Sequence, residues 1–148
     1  MTRERSMQTR VKDVPPRRGL AVVEFAILAP VLVFLAIGMI EMARGMMVKE
    51  VLTDAARKAA RTGILPYADN TAIQNDANNV LNSNNIPAAY ATVVIQVNDK
   101  AVDAATAVQN DKISVKVSIP VSKVAWITPL FLPGSSIESE TMVMMRQR

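Results

Sequence analysis

The chain has 148 residues, with 17 basic and 13 acidic side chains, one Trp, two Tyr, three Phe, and neither Cys nor His. Disulfides, thiol or imidazole nucleophiles and His- or Cys-based metal sites are therefore excluded. Residues 1–19 hold six basic side chains against two acidic ones, which accounts for the whole net charge of +4, and the chain from Leu20 onward is neutral. A neutral folded part with few rings offers phosphates no basic surface and bases no stacking platform, so no nucleic acid is expected as a partner.

The first element is apolar. Leu20 to Ile40 holds a single charge, Glu24, and its 21 residues form a helix of about 30 Å, the thickness of a hydrocarbon core. That exceeds the apolar region of a secretory signal, and it runs into Glu41-Met42-Ala43-Arg44 without a small-x-small cleavage site. A retained, single-pass transmembrane helix over 20–40 is the expectation, and Pro30 within it is tolerable in lipid. Six Lys/Arg precede the span and four (Arg44, Lys49, Arg57, Lys58) follow within 20 residues. The bias puts the basic leader, 1–19, in the cytoplasm and the rest outside the cytoplasmic membrane.

The helix is expected to continue as a juxtamembrane extension, 41–65. Val48, Leu52, Ala55, Ala59 and Gly63 recur every three or four residues as one stripe. Asp54 can reach Lys58 one turn on, and Gly63 followed by Pro66 marks a stop. A helix from about Leu20 to about Ile64 would be roughly 65 Å long. The narrow Ala55, Ala59, Gly63 stripe has two readings. It lets a second backbone approach closely, or it docks the helix on the chain's own domain.

A small extracytoplasmic domain is expected over 66–148. TAIQNDANNVLNSNNI predicts a short helix with Ile73, Ala77, Val80 and Leu81 on one side, ending in an Asn-rich loop. The period then becomes two. TVVIQVN (92–98) and DKISVKVSIPV predict strands, with Val93, Ile95 and Val97 inward in the first, and Ile113, Val115, Val117 and Ile119 alternating with polar residues in the second. IESETMVMMR predicts a third strand. The apolar stretch before it, SKVAWITPLFLPGSS, is expected to fold over the sheet or to form an exposed contact surface. The fold class is α+β: a long N-terminal helix packed on a small antiparallel sheet of about three strands, whose apolar face the helix stripe covers.

The acidic residues are scattered. The closest strand pair, Glu138 and Glu140, suits a solvated face better than a hydrolytic dyad. No catalytic residue, metal, cofactor or small-molecule substrate is expected, and no constellation supports an enzyme.

Glu24 stands apart, because a carboxylate just inside a span needs a partner. Arg17 and Arg18 lie about two helical turns away at the membrane edge and fit poorly. A cut between Gly19 and Leu20 would create an amine that a neighbouring copy could present to Glu24.

A basic leader ending in Gly, then an apolar helix with Glu as its fifth residue, resembles the type IV prepilin signal. The chain also resembles the TadE-like family of tight-adherence (Flp) pilus systems. The resemblance rests on Arg17-Arg18-Gly19, Val23-Glu24-Phe25-Ala26, Pro30, Glu41 with Arg44, Ala55-Ala56-Arg57 and Ala60-Arg61, and covers residues 17–62. Met46 and Met47 depart from it, standing where the family commonly carries aromatic residues. The resemblance implies a minor pilin or pseudopilin, cleaved after Gly19 by a prepilin peptidase. In that reading Glu24 registers the next subunit, and the partners are the bilayer, the peptidase and other pilins or assembly components. The alternative is an uncleaved single-pass anchor whose outer domain binds a partner. The two differ in whether residues 1–19 persist.

Overall fold

The computed structural model describes residues 18–126 and 128–147, so most of the basic leader lies outside the described residues. Its first element, α1, is Arg18–Gly63, 46 residues with Pro30 inside. The chain divides into two units, Met1–Ala36 and Ile37–Arg148, each taken by itself below.

The first unit, as described, is helix. Leu20, Val22, Val23, Phe25, Ile27, Leu28 and Val31 through Leu35 are all exposed. A helix apolar all round, with nothing of its own chain covering it, fits a lipid environment and not water. Its length and composition make it a candidate membrane span.

The second unit is built on one core. From α1 it takes Val48, Leu52, Ala55, Ala56, Ala59 and Ala60, all fully buried. The buried face is thus wider than the predicted stripe, because Ala55 and Ala59 are each followed by an alanine, Ala56 and Ala60, that also turns inward. Gly63 is buried at the helix end, where an added Cβ would come within 2.9 Å of Ile113 Cγ2 and 3.1 Å of Ile73 Cδ1. Only a residue without a side chain lets the two isoleucines close there. On the outer face Asp54 pairs with Arg57 at 2.9 Å, one position short of the predicted Lys58.

α2 is Asn70–Ser83. Asp69 caps it, its Oδ1 accepting the Ala72 N–H at 2.7 Å. Ile73, Ala77 and Leu81, four residues apart, are its buried residues. The Asn-rich end is a Schellman closure and not simply a loop. Asn85 is left-handed at φ 55°, its N–H donates to Asn82, and the Ile86 N–H donates to the Leu81 carbonyl at 2.9 Å. Ile86 and Leu81 are both buried, the apolar contact that accompanies such a cap. The Thr62 hydroxyl also donates to the Asp76 carboxylate, tying α1 to α2.

The sheet is antiparallel. β1 (Thr92–Val97) pairs with β2 (Lys112–Pro120) from Thr92↔Ser118 to Val97↔Ile113. The other side of β2 carries β3 (Ser136–Glu138) and β4 (Met142–Met145), so the expected third strand is two strands in one lane. The break has a geometric cause. Ser118 faces Glu138 and Val115 faces Met142, so Lys116 and Val117 oppose three residues, Ser139, Glu140 and Thr141. One residue is extra, as in a β-bulge. It reverses the side-chain phase: Ile137 is half-buried before it, Met142 and Met144 after it, and Val143 faces out. Ser139 stitches the bulge, its N–H donating to the Val117 carbonyl at 2.8 Å and its Oγ accepting the Val117 N–H at 2.9 Å.

A tight turn follows β1, with Asn98 and Asp99 at φ 50° and 63° and Lys100 bridging back to Val97. Two consecutive left-handed residues suit the twist of a hairpin. Asn98 also closes the sheet end, its Oδ1 accepting the Lys112 N–H at 3.0 Å and its Nδ2 donating to Asp111 at 2.8 Å.

Candidate functional site

Three groups of residues are candidates for function, Gly19 with Leu20 and Glu24, the stripe Ala55, Ala59 and Gly63, and Glu41 with Arg44, and the structure places each differently. Gly19 and Leu20 lie in the first turns of α1, and both are exposed. Gly19 has no heavy atom within 4 Å of an added Cβ, and its backbone is not left-handed. Glycine inside a helix costs roughly 0.5–1 kcal/mol relative to alanine. Among the described residues nothing therefore gives a reason for glycine at this position.

Glu24 is exposed on the same helix. The ion pairs among the described residues are Arg57–Asp54, Lys112–Asp99 and Lys116–Glu138, so none of them neutralises Glu24. Glu138 is thereby an ion-pair partner on the sheet surface.

The packing stripe is different. Ala55, Ala59 and Gly63 are buried in the second unit's own core, beside Leu52, Ile73 and Ile113. Of the two readings of the stripe, docking on the chain's own domain is the one this packing realises.

A third group was read from sequence only as part of a resemblance. Glu41 and Arg44, one turn apart on α1, hold the apolar loop between β2 and β3. Glu41 accepts two backbone N–H groups, Phe131 on Oε2 at 3.2 Å and Leu132 on Oε1 at 3.0 Å. Arg44 Nε donates to the Val124 carbonyl at 3.0 Å, and its guanidinium lies 4.8 Å from the Trp126 ring centroid. The Phe131 ring packs on Gly38, whose added Cβ would stand 3.3 Å from it. The loop, expected to fold over the sheet or to form an exposed contact surface, runs along α1 with Trp126, Leu130 and Phe131 exposed. A small cleft of about 30 Å³ remains between them, lined by Ile40, Glu41, Arg44, Gly45, Trp126 and Leu132 among others. The spacing of an acid and a base one turn apart was visible in sequence, but their partners lie 80 to 91 residues away, beyond any local pattern.

The family comparison can be set beside this geometry. Residues 19–61 match the family described as TadE-like protein. The match begins at the glycine before Leu20 and includes Glu24, Glu41, Arg44, Ala55 and Ala59, while Gly63 and the whole sheet lie beyond it. No curated protein and no solved structure matches the chain. The TadE-like match points to a pilin-like protein associated with a Tad pilus, of a type that is generally structural and not enzymatic. Together with the candidate span it points to a membrane-anchored protein that meets other pilus components. Among the described residues no cluster of three or more acidic side chains could hold a metal ion.

Proposed function

We propose that the chain is a TadE-like minor pilin or pseudopilin, cleaved between Gly19 and Leu20 by a prepilin peptidase, that takes part in assembling a tight-adherence type pilus or a related secretion apparatus. The observation that carries this reading is the pairing of Gly19 with Glu24. Gly19 is a helical glycine with no packing role among the described residues, and five residues later a carboxylate interrupts an otherwise apolar, uncovered helix. Cleavage explains both. The peptidase needs the small residue before the cut, and the new amine on Leu20 of one copy gives Glu24 of the next a cation where a lone charge costs about 2.5–3.5 kcal/mol at mid-span and somewhat less near its start.

In this reading the leader, 1–19, stays cytoplasmic until it is removed, and residues 20–40 hold the chain in the cytoplasmic membrane. The extension, 41–65, and the domain, 66–148, stand outside. An uncleaved anchor with a partner-binding outer domain is the second reading. It leaves Gly19 without a role, which is the reason for preferring the first.

Glu24→Ala tests the assembly role. The variant makes the span more apolar, so it should fractionate with membranes as the parent does, yet its recovery in a sheared pilus fraction or in crosslinks to other pilus components should fall. Normal assembly of the variant would overturn the role given to Glu24.

A further inference from the structure

The apolar loop between β2 and β3 has a use that its packing leaves open. Trp126, Leu130 and Phe131 are 68%, 54% and 58% exposed, an unusual display for large apolar residues on one short segment. They do not stand at random on the second unit. Phe131 lies on Gly38, and the cleft beneath the loop is lined by Ile37 and Ile40, the last residues of the apolar run. Met39, Ile40 and Met42 on the same stretch of helix are exposed as well.

Part of the loop's backbone is satisfied within the protein, as a non-aqueous setting favours. In Pro129–Pro133 the two prolines have no N–H to satisfy, and those of Phe131 and Leu132 donate to Glu41. The Leu132 carbonyl accepts from Ser135 Oγ at 2.8 Å. Backbone that enters lipid has to be satisfied internally, and for the two N–H groups beside Glu41 and the Leu132 carbonyl it is. One helical turn further out, Trp126 sits under the Arg44 guanidinium, and Lys123 lies 4.6 Å from the Tyr90 ring centroid. Aromatic rings beside long cations are what the headgroup layer favours.

We propose that this loop is a second membrane contact: Leu130 and Phe131 dip into the bilayer beside the end of the span, and Trp126 lies at the headgroup level. The inference rests on the reading that residues 20–40 occupy lipid. It adds that the outer domain is held against the bilayer surface instead of standing clear of it. Glu41 and Arg44 then act as positioning residues, setting the depth and tilt of the loop.

Trp126 is the chain's one tryptophan, so its fluorescence reports this loop alone. The full chain is reconstituted in phosphatidylcholine vesicles in which one lipid is brominated, either near the glycerol or near the methyl end of the acyl chain. Flotation with the vesicles checks the anchor separately. The expected result is strong quenching of Trp126 by bromine near the glycerol, weaker quenching by bromine near the methyl end, and poor access to aqueous iodide. The Leu130→Ser/Phe131→Ser double variant alters exposed side chains only; it should float like the parent and lose most of the bromine quenching. Free access to iodide with no bromine effect, in a chain that floats, overturns the inference and leaves the anchor standing. Shielding from both quenchers that grows with protein density would mean that a second copy covers the loop, and also overturns it. A chain that does not float removes the anchor and this inference with it.

Discussion

Glu41 accepts the backbone N–H of Leu132 at 3.0 Å across 91 residues of sequence, so the helix matched by the TadE-like family holds the loop of a domain that the match does not reach. The same carboxylate takes the Phe131 N–H, and Arg44 one turn on takes the Val124 carbonyl. An acid and a base at that spacing on a helix fit a mutual ion pair by pattern alone. Here each is spent on loop backbone.

Replacing Glu41 should free that loop. Hydrogen bonds to a charged group contribute about 1.5–3 kcal/mol each, less where the protein leaves them open, as it does here. For Glu41→Ala, amide exchange at Phe131 and Leu132 should quicken by about tenfold or more, with the core strands unchanged. Exchange rates at the two amides equal to the parent's would mean that the carboxylate does not hold the loop.

Gly63 and the alanines of α1 should resist enlargement. An added Cβ at Gly63 meets the stiff β-branched Ile113 at 2.9 Å, and overpacking of this kind costs about 1–3 kcal/mol, more than the helix propensity alanine returns. Gly63→Ala, Ala55→Leu and Ala59→Leu should each lower the denaturation midpoint of the outer domain. Unchanged midpoints would place that face in solvent.

The bulge predicts tolerance to a deletion. Without Glu140, Ser139 and Thr141 alone stand opposite Val117 and Lys116, Glu138 and Met142 keep their partners Ser118 and Val115, and Met142 and Met144 stay inward on a regular ladder. The Glu140 deletion should therefore leave the urea midpoint of the outer domain close to the parent's, as should Glu140→Ala. A large loss on deletion, with Glu140→Ala neutral, would mean that the extra residue is required for the sheet.

Asp111 links stability to pH. Its side chain accepts from Asn98 Nδ2 and from the Val108 N–H, each at 2.8 Å, and with the nearby Arg146 these hold its pKa below the ordinary 3.8. A lowered folded-state value means that the folded chain favours the carboxylate. The stabilisation is fully present above the ordinary value and is lost as pH falls through the lowered one. Asp111→Asn should therefore be less stable than the parent at neutral pH, with the gap closing under acid. A gap independent of pH would contradict the linkage.

Local chemistry made much of this molecule readable in advance. The 21-residue apolar run, the three-to-four spacing from Val48 to Gly63 and the alternation from Lys112 to Ile119 each identify an element within a few residues, because burial on one face dictates those periods. Three features escaped. The Asn98-Asp99 turn is written in residues that tolerate positive φ, but it begins inside the expected strand 92–98 and has no period of its own. The Schellman closure at Asn85 is likewise spelled by Asn-Ile after a helix. The bulge could not be read at all, since Ser139 and Glu140 look like any polar pair until the register on both sides is known. The Glu41 and Arg44 contacts share that limit, being set by tertiary packing. For Gly19 and Glu24 the position is legible in the sequence, and among the described residues Gly19 meets nothing that needs a glycine and none of the ion pairs includes Glu24.

The most direct test is the N-terminus of the chain purified from its native membranes, by intact mass and N-terminal sequencing. A mature chain beginning at Leu20, with a bulky residue at Gly19 blocking the change but not membrane insertion, is the result this account predicts. A chain that still begins at Met1 or Thr2 would contradict it, leaving an anchor whose glutamate has no partner.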